Sequence, residues 1–190
     1  MKRLIFIVEG ETEEEFVNTI LVPFFNENNF YNIQCFKIKH SRGGVSKYSH
    51  IREDILNTIY ENDVIVTTMI DFYQLPHDTP GFTESEKLSC HLDRVCYIEN
   101  AMKEDLERDQ RRVFPFFIPY LQLHEFEALT FSSDRGFKDL FEKSEADFPQ
   151  LESIISQFPN PEDINDRPET APSKRLLKAI KGYDKVTYGS

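Results

Sequence analysis

Leu4-Ile5-Phe6-Ile7-Val8 is an unbroken apolar run that stops at Glu9-Gly10. A fully apolar run closed by glycine is how a strand buried on both faces ends in a parallel sheet. Parallel strands need crossover connections, usually helices, so the run points to an alternating α/β arrangement. Ligands and catalytic groups collect at the carboxyl ends of such strands. Glu9 stands at that position, and an acid that ends a buried strand needs a partner.

The rest of the chain keeps the alternation. Thr12-Glu13-Glu14-Glu15 has the form of a capping box. Phe16, Val17, Ile20, Leu21, Phe24 and Phe25 share one broad face of the helix that follows, and Pro23 interrupts its far end. A second strand is expected at 33–38. Ile51, Ile55, Leu56 and Ile59 predict a helix over 47–60. A third strand, 64–70, ends at Asp71. The loop 72–82 carries Pro76, Pro80 and Gly81 and reads as irregular. A long helix is predicted over 84–109, on a stripe of Leu88, Leu92, Val95, Cys96, Met102 and Leu106. The segment 113–123 reads as extended, with Pro115 and Pro119 making it an edge strand or a broken one. The remainder reads as helical and polar, with Ser173 capping a last helix over 174–181. These elements suit a single α/β domain over 1–190 with a mostly parallel sheet flanked by helices, in which 131–190 is a small helical extension.

Composition narrows the function. With a formal net charge of −11 the chain does not hold phosphate backbones by bulk attraction. Any dealing with nucleic acid needs metal ions, a local basic patch or a basic partner. Cys35, Cys90 and Cys96 are scattered and lack zinc-site spacing, which fits a reduced cytoplasmic protein. No apolar run approaches the length of a membrane span. Met1-Lys2-Arg3 leads into a strand rather than a signal peptide.

Acids recur at the ends of expected strands: Glu9 with Glu13, then Asp71, then Glu125 with Glu127. If the first and third strands are neighbours, Glu9 and Asp71 converge. Crowded carboxylates repel one another, and a divalent cation removes that penalty. Mg²⁺ is commonly held by one or two carboxylates with water and phosphate oxygens. Other readings compete. Glu13, Glu14 and Glu15 fit a helix first turn, where acids complement the dipole. Asp71 fits the start of a turn. His124 fits a ligand, a general base or a hydrogen-bonded core histidine. Lys174 and Arg175 fit a solvated basic face or, beside a metal site, groups that neutralise charge on a phosphate. Arg42 with Gly43-Gly44 fits a phosphate-contacting loop or a flexible turn.

The stretches Glu9-Gly10-Glu11-Thr12-Glu13, the strand ending at Asp71, His124-Glu125-Phe126-Glu127-Ala128-Leu129, Ser173-Lys174-Arg175-Leu176 and Gly182-Tyr183-Asp184-Lys185 together resemble the domain-of-unknown-function 4276 family. That family is similar to Toprim domains, including overcoming-lysogenization-defect nucleases. The resemblance covers nearly the whole chain and implies a Toprim-like α/β fold. It also implies that a further helical segment is missing beyond residue 190. The nuclease branch carries E-x-x-x-E after the first strand, which Glu9 and Glu13 match. It carries D-x-D after the third, where this chain has Asp71-Phe72-Tyr73. What the resemblance implies is Mg²⁺ (or Mn²⁺) held by Glu9, Asp71 and one of Glu125 or Glu127, with Glu13 acting through water. Glu9 would also be the general base, and Lys174 would stabilise the transition state. His124 is a further catalytic candidate, and Arg42, Lys174 and Arg175 are candidates for contacting nucleic acid. It further implies an ATPase partner of the AAA or ABC type in anti-phage defence.

The expectation is therefore a metal-dependent nuclease. Two alternatives are a catalytically degenerate Toprim-like subunit, favoured by Tyr73 in place of an acid, and a receiver-like phosphotransfer domain.

Overall fold

The computed structural model describes residues 2–39, 46–109, 115–123, 125–164 and 168–184. The chain divides into two compact units, Met1–Leu123 and His124–Ser190. Among the described residues no helix is long and apolar enough to cross a membrane.

The first unit is built on a five-stranded parallel sheet flanked by helices. Strand β1 (Arg3–Val8) lies between β2 (Ile33–Lys37) and β3 (Val64–Asp71), and β4 (Phe117–Ile118) and β5 (Leu121–Gln122) both pair with β3. In register, Val8 stands opposite Lys37 on one side and Met69 on the other. The chain thus leaves β1 for β2 in one direction and returns past β1 to β3 in the other. That reversal of strand order falls between β1 and β3, which is where open α/β sheets leave a crevice at their carboxyl ends.

Both faces of the sheet are covered, as the apolar run requires. Helix α3 (Tyr48–Ile59) and helix α5 (His91–Asp109) lie side by side, tied where the Arg52 Nε–H and the Tyr48 hydroxyl donate to Asp105 Oδ2 at 2.9 and 3.2 Å. Ile51, Ile55, Val95, Ile98, Met102 and Leu106 of these helices join Ile5, Ile7, Val66 and Ile70 in one core. Phe6, on the opposite face of β1, meets Phe25 with ring centroids 6.3 Å apart. Phe25 belongs to α2 (Val22–Glu27), which continues α1 (Glu11–Phe16) through a π-helical turn, Val17–Leu21.

Several sequence expectations change here. Position 10, not 12, caps α1, and the carboxylate at the third helical position is Glu13. The broad apolar face is not buried as a whole. Val17 is fully buried, but Ile20 and Phe24 are about half exposed. The π turn accounts for this, because one extra residue rotates the downstream face. Pro23 gives the turn its reason, since it has no N–H for an ordinary helical bond. The long helix begins at His91. A separate short helix α4 (Phe82–Ser85) precedes it, and the Ser85 hydroxyl donates to the Phe82 carbonyl at 2.7 Å, competing with the helical ladder. Leu88 and Leu92 consequently fall outside the buried stripe.

Pro119 breaks the last strand, as its position predicts. Thr68 of β3, fully buried, bridges the break. Its hydroxyl donates to the Tyr120 carbonyl at 2.9 Å and accepts from the Tyr120 N–H at 3.0 Å. One side chain thereby replaces the ladder bonds that the interruption removes.

The second unit is helical: α6 (Arg135–Leu140), α7 (Phe148–Gln157) and α8 (Pro172–Ala179), with a 3-10 helix over Phe126–Ser132. Phe131, Phe137, Leu151, Ile154, Ile164 and Leu176 form its core. Helix α8 starts at Pro172, so Ser173 sits inside the first turn rather than capping it. Proline at the first helical position loses no bond, because that N–H has no intrahelical acceptor.

Replacing Thr68 with Val keeps the shape and removes both bonds to Tyr120. The expected cost is ~1–3 kcal/mol of stability, the penalty for stranding backbone groups, read as a lower urea midpoint at unchanged slope.

Candidate active site

Glu9 and Asp71 meet at the strand reversal. Residue 9 follows β1 directly and Asp71 is the last residue of β3, two positions beyond the Val8–Met69 register pair. The Glu9 carboxylate, through Oε2, lies 3.4 Å from the Asp71 N–H. The Asp71 carboxylate in turn accepts the Tyr73 N–H through Oδ1 at 2.9 Å, which fixes the turn Asp71-Phe72-Tyr73. Both acids are part-exposed, while Phe72 behind them is buried. Two rigid strand ends thus hold two carboxylates at one edge, open to solvent.

The edge extends onto β5. Gln122 pairs in register with Asp71 and is buried, with its Oε1 accepting the Tyr120 hydroxyl at 2.7 Å. Glu99 of α5 accepts the Leu121 N–H through Oε1 at 2.8 Å. Burial raises the Glu99 carboxyl above its ordinary range, and that N–H partly offsets the rise. Neither Gln122 nor Glu99 stands out in the sequence. The available signal for Glu99 is its place beside Ile98 and three residues before Met102 on the buried stripe, where an acid needs a donor.

Glu13 is committed differently. Its Oε2 accepts the Gly10 N–H at 3.1 Å, one half of a capping box. Glu11 and Glu14 face the Lys37 ammonium at 3.5 and 3.2 Å. These acids make the start of α1 electronegative. The Cys35 thiol on β2 registers that field: burial first, then the charges of Glu14 and Glu13, push it up to about 12.

Glu125, Glu127, Lys174 and Arg175 belong to the second unit. Glu125 Oε2 accepts the Ser173 N–H in the first turn of α8 at 3.0 Å, so it serves as an acidic cap. Glu127 is fully buried. The Tyr183 phenol is raised by burial first and then by the charges of Glu127, Asp184 and Glu125. Arg175 is a clamp: its Nε–H donates to the Thr170 carbonyl at 2.7 Å, its Nη2–H to that of Ile164 at 3.3 Å, and its guanidinium lies 5.1 Å over the Phe158 ring. Lys174 is exposed on α8. Arg42, its Gly43-Gly44 loop and His124 lie outside the described residues.

The donor set at the sheet edge consists of hard carboxylate oxygens, which suit Mg²⁺ or Mn²⁺. Among the described residues no three His, Cys, Asp or Glu side chains come together to hold an ion. Two carboxylates are within what Mg²⁺ needs when water and phosphate oxygens complete its octahedron.

Compared with known proteins, a family model described as a domain of unknown function, DUF4276, matches residues 8–190. Neither a curated protein nor a solved structure matches the chain.

Two outcomes are expected. Glu125→Ala removes the acidic cap of α8 and lowers the stability of the full chain by ~0.5–2 kcal/mol in urea unfolding, whereas Glu125→Gln keeps an accepting oxygen and recovers most of the loss. Cys35 keeps its proton in the folded state from the ordinary 9.0 up to about 12, while the unfolded chain ionises near the lower value. The stability linked to this thiol is therefore complete below pH 9 and is lost as pH climbs toward 12. The difference between wild type and Cys35→Ala across that window reads it, and a thiol reagent at neutral pH should label exposed Cys90 and Cys96 faster than half-buried Cys35.

Proposed function

The chain belongs to the DUF4276 family, and from that membership and the paired acids we propose that it is a Toprim-like, metal-dependent phosphodiesterase acting on nucleic acid. The observation that carries the reading is the Glu9 Oε2 at 3.4 Å from the Asp71 N–H, at the reversal of strand order. Helix caps and ion pairs account for Glu11, Glu13, Glu14 and Glu125. Asp71 also caps the 3-10 turn Phe72–Gln74 through the Tyr73 N–H, and what capping leaves unexplained is that neighbouring strands deliver it and Glu9 to one edge.

Glu9 and Asp71 would hold Mg²⁺. When bound, the ion polarises a phosphodiester and lowers the pKa of its water. The chain's own residues do the rest by position. The β1–β3 ladder fixes both carboxyl groups before substrate arrives, so little reorganisation opposes the reaction. The Asp71 N–H orients the Glu9 carboxylate, and the Tyr73 N–H orients that of Asp71. Glu9 is the candidate to accept a proton from the attacking water. A formal charge of −11 favours a basic partner that brings substrate to the edge. An ATPase of the AAA or ABC type, as in anti-phage systems, fits that need, and the cytoplasm is the matching compartment.

A second reading has its own support. Tyr73 stands where a second acid would complete D-x-D, and among the described residues no third ligand joins the pair. On that reading the unit binds nucleic acid or an ATPase without cutting.

Cleavage of single- and double-stranded DNA and RNA in Mg²⁺ or Mn²⁺, with and without an ATPase partner, separates the two. The nuclease reading expects Glu9→Gln and Asp71→Asn each to reduce the rate about 10²–10⁴-fold, with chelation abolishing it. A wild type that cuts none of these substrates under any of the conditions sinks it and leaves the binding role.

A further inference from the structure

We propose that Tyr73 and Arg94, beside the Glu9–Asp71 edge, form a subsite for single-stranded nucleic acid in which an unstacked base lies against the Tyr73 ring and Arg94 holds a backbone phosphate. Nucleic acid as the ligand rests on the reading above; the subsite itself rests on how these two side chains are held.

Tyr73 is 50% exposed although its backbone is fixed by the Asp71 carboxylate. Its ring meets Phe72 at 5.2 Å and His91 at 6.4 Å, with interplanar angles of 74° and 83°. Neither neighbour stacks on it face to face. An ordered, half-exposed aromatic ring is a platform for any base, since every base offers a π face. Burying a ring costs little side-chain entropy and gains apolar area, so a ring left at a catalytic edge is more useful to a ligand than to the core.

Arg94, in the first turn of α5, lies with its guanidinium 5.1 Å over the Phe72 ring. Its Nε is buried and has no hydrogen-bond acceptor. Among the described residues it makes no ion pair. Arg94 and Tyr73 both pack against the Phe72 ring, so the two groups share one patch. A guanidinium held against an aromatic ring loses less freedom when it binds a phosphate. Arg94 therefore supplies locally the attraction that the net charge of the protein denies.

The pairing selects for single strands. A base inside a duplex is stacked on both sides and shows only its edge, whereas an unpaired base can be splayed onto a side chain. The position two residues beyond Asp71 thus carries a platform in place of a ligand.

The test is fluorescence anisotropy with the full chain, using labelled oligothymidylate, oligouridylate and a DNA duplex of equal length, in EDTA and in Ca²⁺. Both single strands should bind at least about tenfold more tightly than the duplex, with any preference between them naming DNA or RNA. Tyr73→Ala should weaken single-strand binding about tenfold, as loss of one stacked base does, and Tyr73→Phe should keep it. Arg94→Gln should weaken binding and lower the salt dependence by about one phosphate contact. Because Arg94 packs on Phe72, Arg94→Lys, which keeps a charge, and thermal melting of each variant separate a lost contact from a lost fold. A duplex bound as tightly as the single strands, or a folded Tyr73→Ala that binds as wild type does, overturns the subsite even where Glu9-dependent cleavage is intact. A wild type that binds in the expected pattern yet cuts nothing removes the nuclease reading and upholds the subsite.

Discussion

The parallel pairing of β1 with β3 is the constraint on which the candidate site depends. It runs from Arg3–Val64 to Val8–Met69 without a slip. A shift of one residue would turn every side chain of β1 to the opposite face, exchanging Ile5 and Ile7 with Phe6 and emptying both cores at once. The packing of Ile5 and Ile7 against α3 and α5, and of Phe6 against Phe25, therefore locks the register. That locked register carries Glu9 to the Asp71 N–H. The placing of these two acids at the edge is a by-product of hydrophobic packing beneath it.

The acids of this chain divide by what their oxygens accept. Glu13 and Glu125 accept backbone N–H groups at helix starts, where an anion meets unpaired donors and the positive end of a dipole. Glu11 and Glu14 face Lys37. Glu9 and Asp71 lie at strand ends, where Asp71 caps the 3-10 turn Phe72–Gln74 through the Tyr73 N–H and Glu9 accepts the Asp71 N–H from the neighbouring strand. This explains why acid spacing is a poor guide by itself: E-x-x-x-E places Glu9 and Glu13 together in the sequence, yet Glu13 turns back to Gly10 while Glu9 reaches across to the next strand. Arg175 shows the same for bases, since its guanidinium serves the Ile164 and Thr170 carbonyls rather than the surface.

The strands were legible because burial on both faces writes itself as continuous apolar runs, as in Leu4–Val8 and Val64–Ile70. The break at Pro119 was legible because proline lacks a donor. Helix ends were less so. The start of α5 slipped to His91 because the Ser85 hydroxyl bonds to the Phe82 carbonyl, a local choice that periodicity does not record. Periodicity does not show which face of α1 and α2 is buried, because the π turn changes the residue count per turn midway. The caps lie two residues before the expected ones, at Gly10 and Ala171, because capping depends on which N–H groups a distant or flanking carboxylate can reach.

What the sequence determined by itself was the alternation of strand and helix and the placing of Glu9 and Asp71 at strand ends, since both follow from the order of apolar and polar residues along the chain. Tertiary structure alone decided that β1 and β3 are neighbours, that Glu99 and Gln122 border the same edge, and that Arg94 lies on Phe72 beside Tyr73. The reason is physical. Residues 9, 71, 94, 99 and 122 are far apart in the chain, and only the burial of two apolar sheet faces pays the entropy of bringing them together.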